Sequence, residues 1–348
     1  MQEAGYVTAG FVNAYYVWPK FGFGDGYDIY QVIQSGQNGN AALVNDAAFD
    51  WLENTWQPTL QDKPLFLYLY YYDPHTIYDP PPPYDLLYDS TYTGTLTGEV
   101  YNNGERVVSG EIVPTARDIE HLKALYDGEI TNWDARFGEM MTRLNDLGLL
   151  DNAIVVVTAD HGQMFGEHNK WTHHNSLYEE VIRVPLSIRW SGVLSPGQVI
   201  TAPVTTMDLT PTLLDLIDLD VPDDLSGQSL EPVMRGEAAD FLRPIYSELS
   251  GETDPTNLHF WMSPRYEQRA VKQSGLKFIH EIRNDDGDVL YEIQPASQYE
   301  LEDVSGMMPE QTALLREKLY AWFTVPTNFL FTPSIHSDDT PPSPLRLP

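Results

Sequence analysis

Residues 154–178 read IVVVTADHGQMFGEHNKWTHHNSLY, and this stretch decides the fold. Ile154 to Thr158 is a continuous β-branched run, the kind found in parallel strands buried on both faces of an α/β sheet. It stops at Asp160 and His161. Three more histidines, His168, His173 and His174, follow within the same loop, so four of the nine histidines in the chain lie together. In open α/β sheets ligands bind beyond the carboxyl ends of the strands, and an Asp-His pair placed there is a natural ligand set for a divalent cation.

The residues on either side support the same class. PLFLYLYYYDPH (Pro64 to His75) is a second apolar run ending in a polar turn, which would bring Asp73 and His75 to the same rim as Asp160 and His161. Tyr6 to Val12 reads as a short strand, Asn40 to Glu53 as a helix, and FGFGDGYDIY (Phe21 to Tyr30) as a glycine-punctuated loop. The spacing of Ile119, Leu122, Tyr126, Ile130, Trp133, Phe137, Met140, Leu144 and Leu147 predicts one long helix, with Gly148 as its stop. Asp79 to Asp85 (DPPPPYD) forces an extended path, and Ser90 to Thr115 reads as an excursion or hairpin. VPLSIRW (Val184 to Trp190) and PIYSEL (Pro244 to Leu249) read as strands with the helix MDLTPTLLDLI (Met207 to Ile217) between them. Strands alternating with helices predict a doubly wound, mostly parallel α/β sheet. After Gly236 the texture changes. RAVKQSGLKFIHEI, DVLYEIQP and QYELEDV predict short antiparallel strands, followed by the helix EQTALLREKLYAWF. The expected organisation is an α/β core over 1–236, a small α+β subdomain over 237–331 and a proline-rich tail over 332–348.

Composition narrows the function classes. The 348 residues are 42% hydrophobic and 12% aromatic, ample for a packed interior. A net charge of −31 opposes nucleic acid and anionic membrane surfaces. With no cysteine there is no thiolate site, so a metal would be held by oxygen and imidazole donors. No apolar run reaches the length of a transmembrane helix.

The segment 152–192, NAIVVVTADHGQMFGEHNKWTHHNSLYEEVIRVPLSIRWSG, resembles the signature of the sulfatase family within the alkaline phosphatase superfamily: a strand ending in Asp-His, then GE-H, a Lys or His, LYEE and R-VP-L. The resemblance extends to AGYVTAGFVNAYY and FGFGDGYD, to YYYDPHTIYDPPPPY, to LKALYDGEITNWDARFGEMMTRLNDLGLLDN and to TTMDLTPTLLDLIDLDVP, covering Gly5 to about Phe323. It implies that Asp160 and His161 form half of a divalent-cation site, calcium in most sulfatases, with manganese or zinc also suited to an imidazole. It implies that His75 contacts the ester and protonates the leaving oxygen, and that His173 lies against the sulfate oxygens. Glu167 and His168 match a loop-shaping GEH segment. Lys170, where relatives carry a small or apolar residue, is a candidate substrate contact or a solvated side chain. Arg183 is expected in a structural ion pair, and His174 has no assigned role.

Two family features are missing from these residues. The paired aspartates that complete the metal site and the C/S-x-P-S-R motif that supplies the formylglycine nucleophile do not occur. The expectation is therefore a sulfatase lacking its N-terminal portion, where any signal peptide would also lie. Such a chain would be inactive alone, with the first sheet strand missing. The substrate class implied is a small or carbohydrate sulfate ester. Phosphoryl or phosphonate ester chemistry on the same scaffold, and a non-catalytic anion- or partner-binding remnant, are the competing readings.

Overall fold

The computed structural model of the chain describes residues 1–34, 40–75, 77–101, 104–173, 175–237, 243–249, 267–282, 287–293 and 300–324. His174 and the expected 332–348 tail lie outside them. Three parallel strands form the first sheet in the order β2-β1-β3: β1 (Val7–Val12), β2 (Ile29–Val32) and β3 (Leu65–Tyr70). The loop reading of Phe21 to Tyr30 missed β2. Helix Ala41–Trp51 crosses from β2 to β3, as a parallel connection requires. Asn40 caps it by accepting the amides of Ala42 and Leu43. Its inner face, with Val44, Ala48, Phe49 and Trp51, packs on Val7, Ala9 and Phe11 of β1. Burying a Val, Leu or Phe side chain stabilises by roughly 1.5–3 kcal/mol each, so this cluster anchors the sheet.

The long helix runs Ala116–Asp146. It begins three residues before its apolar pattern because Thr115 and Asp118 close a capping box. Its buried face also differs from the apolar pattern: Gly128, Glu129 and Asn132 are buried, whereas Ile130 is exposed. The cause is the proline segment, which lies across the helix so closely that a Cβ at Gly128 would meet Tyr84 O at 2.7 Å and Pro80 at 2.9 Å. The excursion over 90–115 is no hairpin; it holds short helices at Gly98–Tyr101 and Glu105–Val108.

Strand β4 (Ile154–Thr158) pairs antiparallel with β7 (Leu186–Trp190) and is half-buried, against the expected parallel strand covered on both faces. Between them the chain makes only a two-stranded hairpin, β5 (Met164–Phe165) with β6 (Trp171–Thr172), and the four-residue helix Glu179–Ile182. Without a crossover helix it returns at the same rim and runs back down beside β4. Helix Leu209–Leu216 and helix Glu231–Met234 cover this pair. Among the described residues, β3 has only β1 as a strand neighbour and β4 only β7.

The C-terminal sheet is antiparallel in the order β11-β10-β9-β8, from β8 (Ile245–Leu249), β9 (Gln268–Gln273), β10 (Leu276–Glu281) and β11 (Val289–Glu292). Ser274 and Gly275, both at positive φ, form the tight β9–β10 turn. Helix Pro309–Thr324 packs Leu315 and Leu319 onto Val271, Phe278 and Leu290. The strand expected at QYELEDV is absent over 300–304, where side chains replace a ladder: Asp303 accepts the Leu290 amide and Glu300 the Glu179 amide. The fold class is α/β, with a parallel sheet and additional antiparallel sheets.

Candidate active site

Three imidazoles from two distant segments meet at the rim where β3 and β4 end. The rings of His161 and His173 stack at 3.9 Å; His75 sits edge-on to both, 5.3 Å from His173 and 6.3 Å from His161. Asp160 is beside His161, and Asp160, His161, His75 and His173 converge as the sequence predicted.

Each is positioned by a local device. His75 lies one turn beyond β3, where its amide donates to Tyr72 O at 2.7 Å and its ring stacks on Tyr72 at 4.3 Å. The Tyr72 amide donates to Asn13 Oδ1 at 2.7 Å, tying the turn to the end of β1. His161 faces Gly162 O at 2.9 Å through Nδ1. A carbonyl only accepts, so Nδ1 carries a proton, and in the neutral ring Nε2 is the nitrogen left with a lone pair for a metal or an acid–base step. Gly162 is sterically required, because a Cβ there would lie 2.1 Å from Glu180 O, and its amide donates to Val181 O at 2.7 Å. His173 follows β6 directly and donates from Nδ1 to Gln163 Oε1 at 2.8 Å. The β5–β6 turn that delivers it has positive φ at Gly166, His168 and Asn169.

Asp160 is half-exposed. Its Oδ2 accepts the Tyr70 hydroxyl at 2.8 Å and its Oδ1 the His161 amide at 2.9 Å. Burial, and then the Asp160 charge, hold the Tyr70 phenol far above its ordinary range, so it is a donor at any working pH. Each Asp160 oxygen keeps a further lone pair. One carboxylate and one open imidazole nitrogen side by side fit a divalent cation as part of its ligand shell.

The remaining sequence candidates separate. Glu167 shapes the loop: it accepts the Phe165 amide at 2.5 Å and Lys123 Nζ at 2.6 Å, and its carboxyl is held below its ordinary range despite burial. Lys170 is half-buried and donates to Asn175 O at 3.2 Å, directed along its own loop. Arg183 is exposed and makes no ion pair among the described residues, against the expectation. His168 is not in ring contact with the histidine cluster and stacks on Tyr178 at 3.8 Å.

Sequence reasoning missed Tyr70, Tyr72, Gln163 and Asn13. Asn13 was findable, being the first polar residue after the apolar strand β1, which is the signal that located His75 and Asp160. It is buried, and its Nδ2 has no hydrogen-bond acceptor among the described residues.

The comparisons with known proteins follow the same outline. The family model "Sulfatase" matches residues 1–219, and that of "N-sulphoglucosamine sulphohydrolase, C-terminal" matches 166–319. A curated arylsulfatase of Clostridium perfringens is 30% identical over 224 residues, 60% of this chain and 46% of that one. The chain spans about half or less of the length of the curated relatives it matches. Among solved structures, a phosphonate monoester hydrolase from Silicibacter pomeroyi shares 25% identity at TM-score 0.63, covering 81% of this chain and 59% of that one. A protein solved in complex with its substrate D-glucosamine-2-N,6-O-disulfate aligns at TM-score 0.70 and 21% identity, covering 94% and 82%. No helix among the described residues is long and apolar enough to cross a membrane.

Proposed function

Because the chain belongs to the sulfatase family, we propose that it is the receiving half of a metal-dependent sulfate-ester hydrolase, with Asp160 and His161 as metal ligands and His75 and His173 as the groups that touch the ester. The observation that carries this reading is the meeting of His75 with His161 and His173 at one rim, from segments almost a hundred residues apart.

A divalent cation, calcium by family habit with manganese or zinc as alternatives, would polarise the sulfate group. His75, held against Tyr72, is placed to give a proton to the departing alcohol oxygen. His173, oriented by Gln163, presents Nε2 to the charge that grows on the sulfate oxygens. The chain contains no cysteine and no C/S-x-P-S-R motif, so none of its own residues supplies the covalent nucleophile, and alone it would bind an ester without cleaving it. We take 1–236 as the catalytic core and 237–331 as its supporting subdomain. The substrate is a small or carbohydrate sulfate ester, in line with the sulfated sugar bound by the fold relative. A second reading, phosphonate or phosphoryl ester hydrolysis, rests on the likeness to the Silicibacter pomeroyi enzyme.

Assay of the 348-residue chain on an aryl sulfate with calcium or manganese should give no turnover above a His75→Ala/Asp160→Ala control. Joined to an upstream segment carrying paired aspartates and the formylglycine motif, it should gain metal-dependent turnover that either substitution abolishes. Turnover by the chain alone would overturn the inactivity. A joined enzyme preferring phosphonate esters would establish the second reading, and one without any turnover would leave a binding remnant.

A further inference from the structure

A second polar cluster is buried away from the rim, where the GEH loop and helix Glu179–Ile182 meet the C-terminal sheet. His168, Glu180 and Glu300 each offer one ligand atom here, a ring nitrogen and two carboxylate oxygens, and these atoms all lie within 4.8 Å of one another. The His168 side chain is 9% exposed, that of Glu180 15% and that of Glu300 0%. His168 Nε2 and both Glu180 oxygens have no hydrogen-bond partner among the described residues. A buried carboxylate with neither oxygen hydrogen-bonded is costly to keep charged.

The surrounding charges do not relieve it. Lys272 and Lys277 both approach Glu179, at 2.7 and 3.1 Å, and Lys277 also approaches Glu300 Oε1 at 2.8 Å. Both ammonium groups are engaged by Glu179 and Glu300, and among the described residues no lysine or arginine pairs with Glu180. His168 does not meet it as a hydrogen-bonded imidazolium. Its Nε2 is 3.3 Å from Glu180 Oε1, whereas a charge-assisted N–H···O bond closes to about 2.7–2.9 Å. Two donors on a tetrahedral zinc ion, with bonds of about 2.0–2.1 Å, stand roughly 3.3 Å apart. The imidazole is held for that geometry by its parallel stack on Tyr178, 3.8 Å away and 6° from coplanar, and by a backbone at φ 54° that few non-glycine residues adopt.

We propose that His168, Glu180 and Glu300 form a structural divalent-cation site of the zinc class, separate from the Asp160–His161 site, that staples the loop preceding His173 to the C-terminal sheet. One imidazole with two carboxylates selects zinc over calcium, which prefers an all-oxygen shell. Glu300 Oε2 remains on the Glu179 amide, so Oε1 is the ligand atom and Lys277 is left to Glu179. Glu300 must draw in by about an ångström or more to complete bonds of about 2 Å.

The test uses the full chain carrying Asp160→Asn and His161→Ala, which silences the rim site. After chelator treatment and dialysis against one equivalent of zinc, elemental analysis should find one zinc per chain. The melting temperature should rise by roughly 3 °C or more with zinc and not with magnesium. Adding His168→Gln and Glu180→Gln should abolish both effects while the circular dichroism stays unchanged. Should that variant misfold, cobalt(II) in the parent decides: an intense tetrahedral visible spectrum supports the site, and a weak six-coordinate spectrum overturns it. Absence of bound zinc, or zinc retained by the folded variant, also overturns it and leaves a direct His168–Glu180 ion pair.

Discussion

Glu129 is a carboxyl that should make this protein less stable as the pH rises. It lies on the buried face of the long helix, 3% exposed, and its Oε1 accepts the Asp79 amide at 2.9 Å, which fastens the segment after His75. Burial, with the Asp73 charge as the next cause, raises its pKa from 4.5 to about 8. The folded chain therefore holds this proton through a range in which the unfolded chain has released it. Below pH 4.5 both states are protonated and the group costs nothing. Between 4.5 and 8 each pH unit removes about 1.4 kcal/mol of stability, a total of up to ~5 kcal/mol before local relaxation trims it. Above 8 the loss levels off. Glu129→Gln keeps the acceptor for the Asp79 amide and cannot ionise. Urea midpoints from pH 5 to 9 should differ least for the two proteins at pH 5 and diverge upward, with the variant more stable by several kcal/mol at pH 9. Two parallel curves would refute the reasoning, because they would mean that Glu129 ionises in the folded chain without penalty.

Lys277→Met should destabilise by about 3–5 kcal/mol, since it removes the ammonium beside the fully buried Glu300 and leaves Glu179 with Lys272 alone; an unchanged denaturation midpoint would contradict this. Tyr70→Phe should preserve the fold and weaken manganese binding at the rim roughly 10-fold by releasing Asp160, read by calorimetric titration, with undiminished affinity counting against a positioning role.

Much of the site was legible because its residues stand at the ends of apolar runs. IVVVT ending in Asp160 and His161, and LFLYLYYY ending in Asp73 and His75, obey the strand-end rule. What stayed hidden depends on tertiary contact. Tyr70 looks like another apolar strand residue until the Asp160 carboxylate is found 2.8 Å from its hydroxyl. Glu129 looks like a solvated helix charge, and only the proline segment folded over Gly128 buries it. The antiparallel return of β7 was invisible for a similar reason: a β-branched run states that a strand exists, but its direction is set by whether a crossover helix follows. At 300–304 the polar side chains of Glu300 and Asp303 took the amides that a ladder would have used.

The glycine at 162 also ties the histidine rim to the C-terminal sheet. Its amide is fixed to Val181, its missing Cβ lets the loop touch Glu180 O, and the neighbouring Glu179 is gripped by Lys272 and Lys277 from the C-terminal sheet. Force applied to that sheet has a short path to His161, three residues of backbone and two ion pairs long. The C-terminal strands thus act as a buttress, and a lesion there should show as a loosened His161 imidazole before the sheet itself unfolds.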